Sequence, residues 1–365
     1  MSAEINSRRG MLEFFQARLV GTQKNLAEEQ KLDDDQKMVK TYIIESNIEV
    51  SEFLEQTDEV KDVRQIGDEL HVLEIKYRGE EGQYYLDSSD NRFWSLYTLS
   101  GSQFARRTFE KLTTTDGNGL DHPWIPNDTQ REVIGWGQFK GAGLKKLGDD
   151  AFPPEYVNEQ VGIGDFRLNL NGDDTQQIYS MFKQNTDIEK ILSLSRIKIR
   201  REKGDEYITE RITSDGAFTA RGGSDIELHL DTVEKVKDRY RELINLIEEN
   251  HLLSYDEVDH GTRVNGSHLR IDLENQIDDI EEFISHVVSG GKPFRLMGTT
   301  TKLKDEYYKM KGVDLHNGDK ITLEVGPTWI RVYLYEGACG NTALRLFTNL
   351  QQHYDPAATM DIENV

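Results

Sequence analysis

Cysteine is almost missing from this chain. Its one thiol, Cys339, has no intrachain partner, so neither an internal disulfide nor a paired-cysteine zinc site can form. Long apolar runs are also missing. Nothing approaches the roughly 20 apolar residues of a membrane-spanning helix, and Met1 to Gly10 lacks the apolar centre of a signal peptide. These absences lead to the expectation of a cytoplasmic protein without membrane contact. Positive charge is in short supply: 44 lysines and arginines face 66 acidic residues, for a formal net charge of -22. On average such a surface repels nucleic acid and anionic membrane, although an average does not exclude a local basic patch. Sequence signatures of catalysis are lacking too. There is no His-Glu-x-x-His, no serine elbow, no phosphate loop and no dinucleotide fingerprint. No metal or cofactor is expected.

What is present is periodicity. Hydrophobic residues are 36% of 365, a polar composition, yet they fall in ordered runs that argue against disorder across most of the chain. The length predicts two or three domains. Met11, Phe14, Phe15 and Leu19 make one helical face near the N-terminus, followed by a charged stretch, Glu28 to Lys37, that includes Asp33, Asp34 and Asp35.

After this, one element order, β-α-β-β-β-α, is read three times. The first copy has strands at Lys40 to Glu45, Glu69 to Tyr77, Gly82 to Asp87 and Arg92 to Leu99, with helices near Val50 to Val60 and Gln103 to Leu112. The second begins at Asp165 to Leu170, adds a helix to about Lys183, and has strands at Ser195 to Arg201, Glu206 to Thr213 and Ala217 to Ala220. The turn Arg221-Gly222-Gly223-Ser224 then leads into a long helix bearing Val233, Val236, Tyr240 and Ile244. The third has a strand at His268 to Leu273, a helix at Gln276 to Val288 and strands at Pro293 to Met297, Lys320 to Val325 and Trp329 to Glu336. The turn Gly337 to Asn341 precedes its last helix, Thr342 to Gln352. The expected organisation is therefore an N-terminal helix and linker (1–38), a first α+β unit (39–112), a connector (113–163), and second and third units (164–260 and 261–365).

This order resembles the saddle-shaped repeats of TATA-box-binding-like and other helix-grip sheets. The resemblance covers topology over most of the chain and no sequence motif. It implies curved antiparallel sheets with helices packed on one face, and by itself it licenses no function.

Several residue groups could carry chemistry or binding. Cys339 sits in a Gly-rich turn before a helix, where backbone N–H groups and the helix dipole favour a thiolate, and His316 should lie at the same end of the sheet. The plainer reading is a small residue in a tight turn. Arg221, Gly222, Gly223 and Ser224 could cradle an anion or simply cap a helix. Strand alternation puts Trp329, Arg331, Tyr333 and Tyr335 on the face opposite Ile330, Val332 and Leu334, and sets Lys198 and Arg200 opposite Ile197 and Ile199. Aromatics beside arginines on an uncovered sheet face can stack bases or grip a peptide, unless that face packs against another copy. Asp121-His122-Pro123-Trp124 reads as a contact loop or as a connector anchored by Trp124.

The acidic balance favours a non-enzymatic scaffold that binds a protein partner through a sheet face or loop edge. The alternatives are a nucleic-acid binder using the aromatic and arginine face, and a cysteine-dependent enzyme using Cys339 and His316.

Overall fold

Helices and mostly antiparallel strands alternate in the computed structural model, which describes residues 5–29, 38–146, 166–185 and 190–362. Asp33 to Asp35 of the expected linker and residues 147–163 of the expected connector lie outside the described residues. Along the chain come α1 (Arg8–Glu29), β1 (Lys40–Ser46), α2 (Val50–Gln56), β2 (Val60–Gly67), β3 (Leu70–Tyr77), β4 (Glu80–Asp87), β5 (Phe93–Thr98), α3 (Ser102–Thr113) and β6 (Leu120–Asp121). Next are α4 (Asn127–Ile134), β7 (Gln138–Lys146), β8 (Phe166–Asn171), α5 (Thr175–Gln184), β9 (Ser193–Lys203), β10 (Glu206–Thr213), β11 (Ala217–Gly223) and α6 (Ile226–His251). The last stretch holds β12 (Leu252–Val258), β13 (Gly261–Asn265), β14 (Leu269–Asp272), α7 (Ile280–Val287), β15 (Leu296–Lys304), β16 (Tyr307–Asp314), β17 (Lys320–Gly326), β18 (Trp329–Tyr335), α8 (Asn341–His353) and β19 (Thr359–Asp361).

The fold is mixed α+β, and three details differ from the expected pattern. The run expected as three strands is four strands in the first stretch and in the last. Strand β2 is mostly exposed and polar, and β15 is exposed along nearly its whole length, so neither has the apolar alternation that announces a strand. In the second stretch β8 pairs with β7, whereas β1 pairs directly with β5 and β14 with β18. Element order thus recurs there without the same strand pairing. Finally, Arg221, Gly222 and Gly223 are not a turn but the end of β11, paired with β10 across a β-bulge. A Gly pair suggests a loop, yet here the glycine answers a close approach. A Cβ on Gly223 would lie 2.6 Å from Ile208 Cδ1 and 2.7 Å from Tyr207 O.

The chain forms two units. Unit 1 comprises Met1–Pro123, Glu132–Lys140 and Ile197–Lys237, and unit 2 comprises Trp124–Arg131, Gly141–Arg196 and Asp238–Val365. In unit 1 the strand order is β2-β3-β4-β5-β1-β11-β10-β9, with β6 beside β1. Both faces of its β1–β5 part are covered. On one face Phe53 of α2 and Phe104, Phe109 and Leu112 of α3 pack on Tyr42, Ile44, Tyr84 and Trp94. On the other, Met11, Phe15 and Leu19 of α1 and Ile226 and Leu228 of α6 pack on Val72, Tyr85, Tyr97 and Ile208. Helices on one face only, the arrangement the saddle resemblance implies, therefore does not describe unit 1. Arg8 of α1 also pairs with the buried carboxylate of Asp87.

In unit 2 the order is β13-β12-β18-β17-β16-β15, with β14 pairing β18 and β19. Helix α8 is buried along almost its full length. It is tied to the end of β16 by the fully buried ion pair of Arg345 and Asp314, and Thr342 donates to the same carboxylate. Burial of Asp314 raises its carboxyl pKa, but Arg345 outweighs that and the net direction is down.

Candidate functional site

Cys339 and His316 lie in unit 2, and both are buried, at 5% and 1% exposure. The N–H of Cys339 donates to Asp319 Oδ2 at 2.8 Å, and the N–H of Gly340 donates to Glu248 Oε1 at 2.8 Å. Carboxylates therefore already occupy the position where the start of α8 would hold an oxyanion or stabilise a thiolate. The turn carrying His316 is fixed in the same way, with its backbone N–H on Asp314 Oδ1 at 2.9 Å. Asp121 and His122 are likewise buried, at 0% and 6%. Trp124 is half-buried, and its carbonyl accepts from Thr348 at 3.0 Å.

A triad-like chain in unit 1 was not visible in the sequence. Thr41 Oγ1 lies 2.7 Å from His229 Nε2, and His229 Nδ1 meets Glu210 Oε1. The hydroxyl, imidazole and carboxylate follow the order used for nucleophile activation. All three residues are at 0% exposure, however, so the chain works as a buried polar lock between β1, β10 and α6. Among the described residues no cluster of His, Cys, Asp and Glu is arranged to hold a metal ion.

The residues expected on β18 come together as read. The strand alternates half-buried and buried, with Trp329, Arg331, Tyr333 and Tyr335 on one face. They surround a group the sequence reading missed, Glu324 of β17, which is directly opposite Arg331. Tyr333 donates to Glu324 Oε2 at 2.9 Å, Lys309 Nζ is 3.5 Å from its Oε1, and Arg331 is 3.7 Å from Oε2. Burial raises the Glu324 pKa, but hydrogen bonds from Tyr307 and Tyr333 and the Lys309 charge bring it down overall. Burial and the same carboxylate push the Tyr333 hydroxyl up to about 12. Cross-strand register is the missing signal: Glu324 joins this group only once β17 is aligned to β18.

Lys198, Arg200 and Arg221 gather in unit 1, on a half-exposed sheet surface of β9, β10 and β11. Arg200 stacks on Tyr207 at 3.9 Å and bonds Glu202 at 2.7 Å. Sequence reading missed Lys40, Lys140 and Arg211. Register places Lys40 opposite Thr219 and Thr219 opposite Arg211. Lys40 is 2% exposed, and its ammonium donates to Ser100 O at 2.7 Å and Met38 O at 3.1 Å. Burial, and then Arg211 and Arg221, push its pKa down to about 8. Lys198 is lowered by burial, and then by Arg221 and Lys140. Gly222 and Gly223 pair with Thr209 and Ile208 beside the bulge at Arg221. Ser224 extends the β10 pairing, with its hydroxyl accepting from Tyr207 N–H at 3.0 Å. The arrangement concentrates like charge on one sheet surface of an acidic chain, and such a surface attracts anions.

No helix among the described residues is long and apolar enough to cross a membrane. In comparison with known proteins, a family model described as MJECL33-like protein matches residues 1–365. The protein MJECL33 of Methanocaldococcus jannaschii is 30% identical over 401 residues, spanning 99% of this chain and 95% of that relative. This chain belongs to the family of MJECL33-like proteins.

Proposed function

We propose that this protein binds nucleic acid through the cationic sheet surface of unit 1. The observation that carries this reading is the gathering of the half-exposed Lys140, Lys198, Arg211 and Arg221 around the buried Lys40 on one side of the sheet, in a chain whose net charge is -22. Burial first, and then this clustering, raises the charged-state energy of Lys40 and Lys198, and nearby phosphates would offset the repulsive part of that cost. Arginine and lysine on a sheet contact the backbone and so favour affinity over sequence choice. The cytoplasmic setting expected from the sequence belongs to the same reading. So does a repeat reading restricted to β1–β5 and β14–β18, supported by their shared strand order.

The test is fluorescence anisotropy with labelled DNA and RNA, single- and double-stranded, at about 50 and 200 mM salt. Binding should weaken by about a hundredfold or more across that range. The triple variant K198A/R211A/R221A should flatten the salt slope by about three. Absence of binding at both salts overturns the proposal.

One observation favours a second reading, a protein partner. The β12–β13 ribbon exposes Tyr255 at 59%, Val258 at 51% and Val264 at 56%, with Tyr255 directly opposite Val264. Apolar side chains on an outlying two-stranded ribbon are a common contact surface. Co-purification that is lost in Y255S/V264S would support this reading over the first.

A further inference from the structure

Phosphate contact in unit 1 leaves the aromatic face of unit 2 without a role. Register fixes what that face contains. Across β15, β16, β17, β18 and β14, one row runs Thr301, Lys309, Glu324, Arg331, Arg270. The next row runs Thr299, Lys311, Thr322, Tyr333. Residues directly opposite one another share a face, so all of these side chains rise from the same side of the sheet.

On this side Trp329 lies across the sheet. A Cβ on Gly326, the residue opposite it, would fall 2.5 Å from the indole, so the glycine leaves space for the ring. The indole meets the Tyr307 ring at 5.6 Å and carries the Arg331 guanidinium at 4.9 Å. Four residues along β18, Tyr333 meets the His268 ring at 5.5 Å. At the rise of a strand the two aromatic platforms are about 13 Å apart. That is about four base steps of a stacked strand at about 3.4 Å each, so a strand engaging both must be free to splay its bases.

Charge selects the occupant. Lys311 and Lys320 are exposed on or beside this face, and Lys309 and Arg331 are half-exposed. Glu324 is shared by Lys309 and Arg331, Asp272 is held by Arg270 at 2.9 Å and Asp361 stands opposite Arg270, so cations outnumber carboxylates on this face and Lys311 and Lys320 are its exposed ones. The accessible charge is therefore cationic, beside flat π faces, in a chain that is otherwise strongly acidic. Duplex bases are already stacked on one another, whereas unpaired bases can stack on Trp329 and Tyr333 while their phosphates meet the lysines.

We infer that the Trp329–Tyr333 face of unit 2 is a stacking site for unpaired bases, making the preferred ligand single-stranded nucleic acid. This inference rests on the nucleic-acid reading above and adds the form of strand recognised. Trp329, Tyr307 and Tyr333 supply the platforms, Arg331 holds the indole from one side, and Glu324 fixes the tyrosine hydroxyl so that the ring keeps its orientation.

The experiment uses the full chain with labelled 15-mers of DNA and RNA, each as single strand and as duplex. Single strands should bind about tenfold or more tighter than duplexes of the same length. W329A should lose about tenfold on single strands and leave duplex affinity unchanged, while K198A/R221A should lower both. Unlabelled single strand at saturation should also quench tryptophan emission in the unaltered protein, and W329F should abolish most of that change. The quenching arm does not depend on W329A folding well. Equal affinity for both forms, or saturation without quenching, overturns the stacking site while the phosphate-binding surface stands. Failure of the unaltered protein to bind any of the four probes overturns the underlying reading instead. Comparable binding of a neutral peptide, competed by W329A-sensitive contacts, would assign the face to protein and also overturn the inference.

Discussion

Strands β1–β5 of unit 1 and β14–β18 of unit 2 share one order: a meander of four strands with the first strand of the stretch returning beside the last. They differ in what lies on the second face. In unit 1, α1 covers it, and β1 and β5 are buried at every position. In unit 2, β18 alternates buried and half-exposed, and its second face carries tyrosines, a tryptophan and cations. The comparison teaches that a shared strand order does not decide which sheet face stays exposed. A helix outside that shared order decides it in unit 1, where α1 covers the second face. In unit 1 the cations sit beyond β1, on the half-exposed sheet surface of β9 to β11.

The largest effect that breaks this comparison should come from uncovering the second face of unit 1. Phe15 is fully buried against Tyr85 at 5.4 Å and Tyr97 at 6.0 Å. Phe15→Ala should cost about 3–5 kcal/mol in urea unfolding followed by circular dichroism. Trp329→Ala on the half-exposed face should cost roughly half of that or less.

The second effect concerns Lys40. Its folded pKa of about 8 lies below the ordinary 10.5. Between those values the unfolded chain holds a proton that the folded chain has released, so stability should rise as pH increases through this window, by up to about 3 kcal/mol. Lys40→Met should remove that rise. Thermal melts from pH 7 to 10.5 measure it, and an unchanged slope in the variant would contradict the assignment. The same ionisation sharpens the functional comparison: affinity for a polyanion should fall severalfold from pH 7 to 9, less so in Lys40→Met.

A smaller effect separates the two units on the acid side. Burial raises the Asp87 carboxyl pKa, but Arg8 outweighs it and the net shift is downward. The stability this pair contributes is therefore present at neutral pH and lost as pH falls through the carboxylate range. Because the Arg8 side chain is 45% exposed, screening holds Asp87→Asn to about 1 kcal/mol. Asp314→Asn, which strands the buried Arg345, should cost about 3 kcal/mol in the same unfolding experiment.

The faces of individual strands were legible from alternation. Ile330, Val332 and Leu334 against Trp329, Arg331, Tyr333 and Tyr335 needed only the two-residue period of a strand, and Met11, Phe15 and Leu19 only the helical one. Exposed strands were not legible. Strands β2, β12, β13 and most of β15 bury little, so no apolar period marks them. Arg221 to Gly223 looked like a turn because glycine signals chain reversal and close approach alike, and only the neighbouring β10 distinguishes them.

The sequence alone thus determined the type and the buried side of the strongly amphipathic elements and the presence of aromatic and basic side chains on their other side. Those are local properties, set by spacing along the chain. Tertiary structure decided the rest: that α1 covers the second face in unit 1, that Glu324 stands opposite Arg331, that Lys40 and Arg211 flank Thr219, and that carboxylates fill the turn at Cys339. Each depends on which strand or helix lies alongside, a matter of register and long-range packing that no residue spacing along one segment encodes.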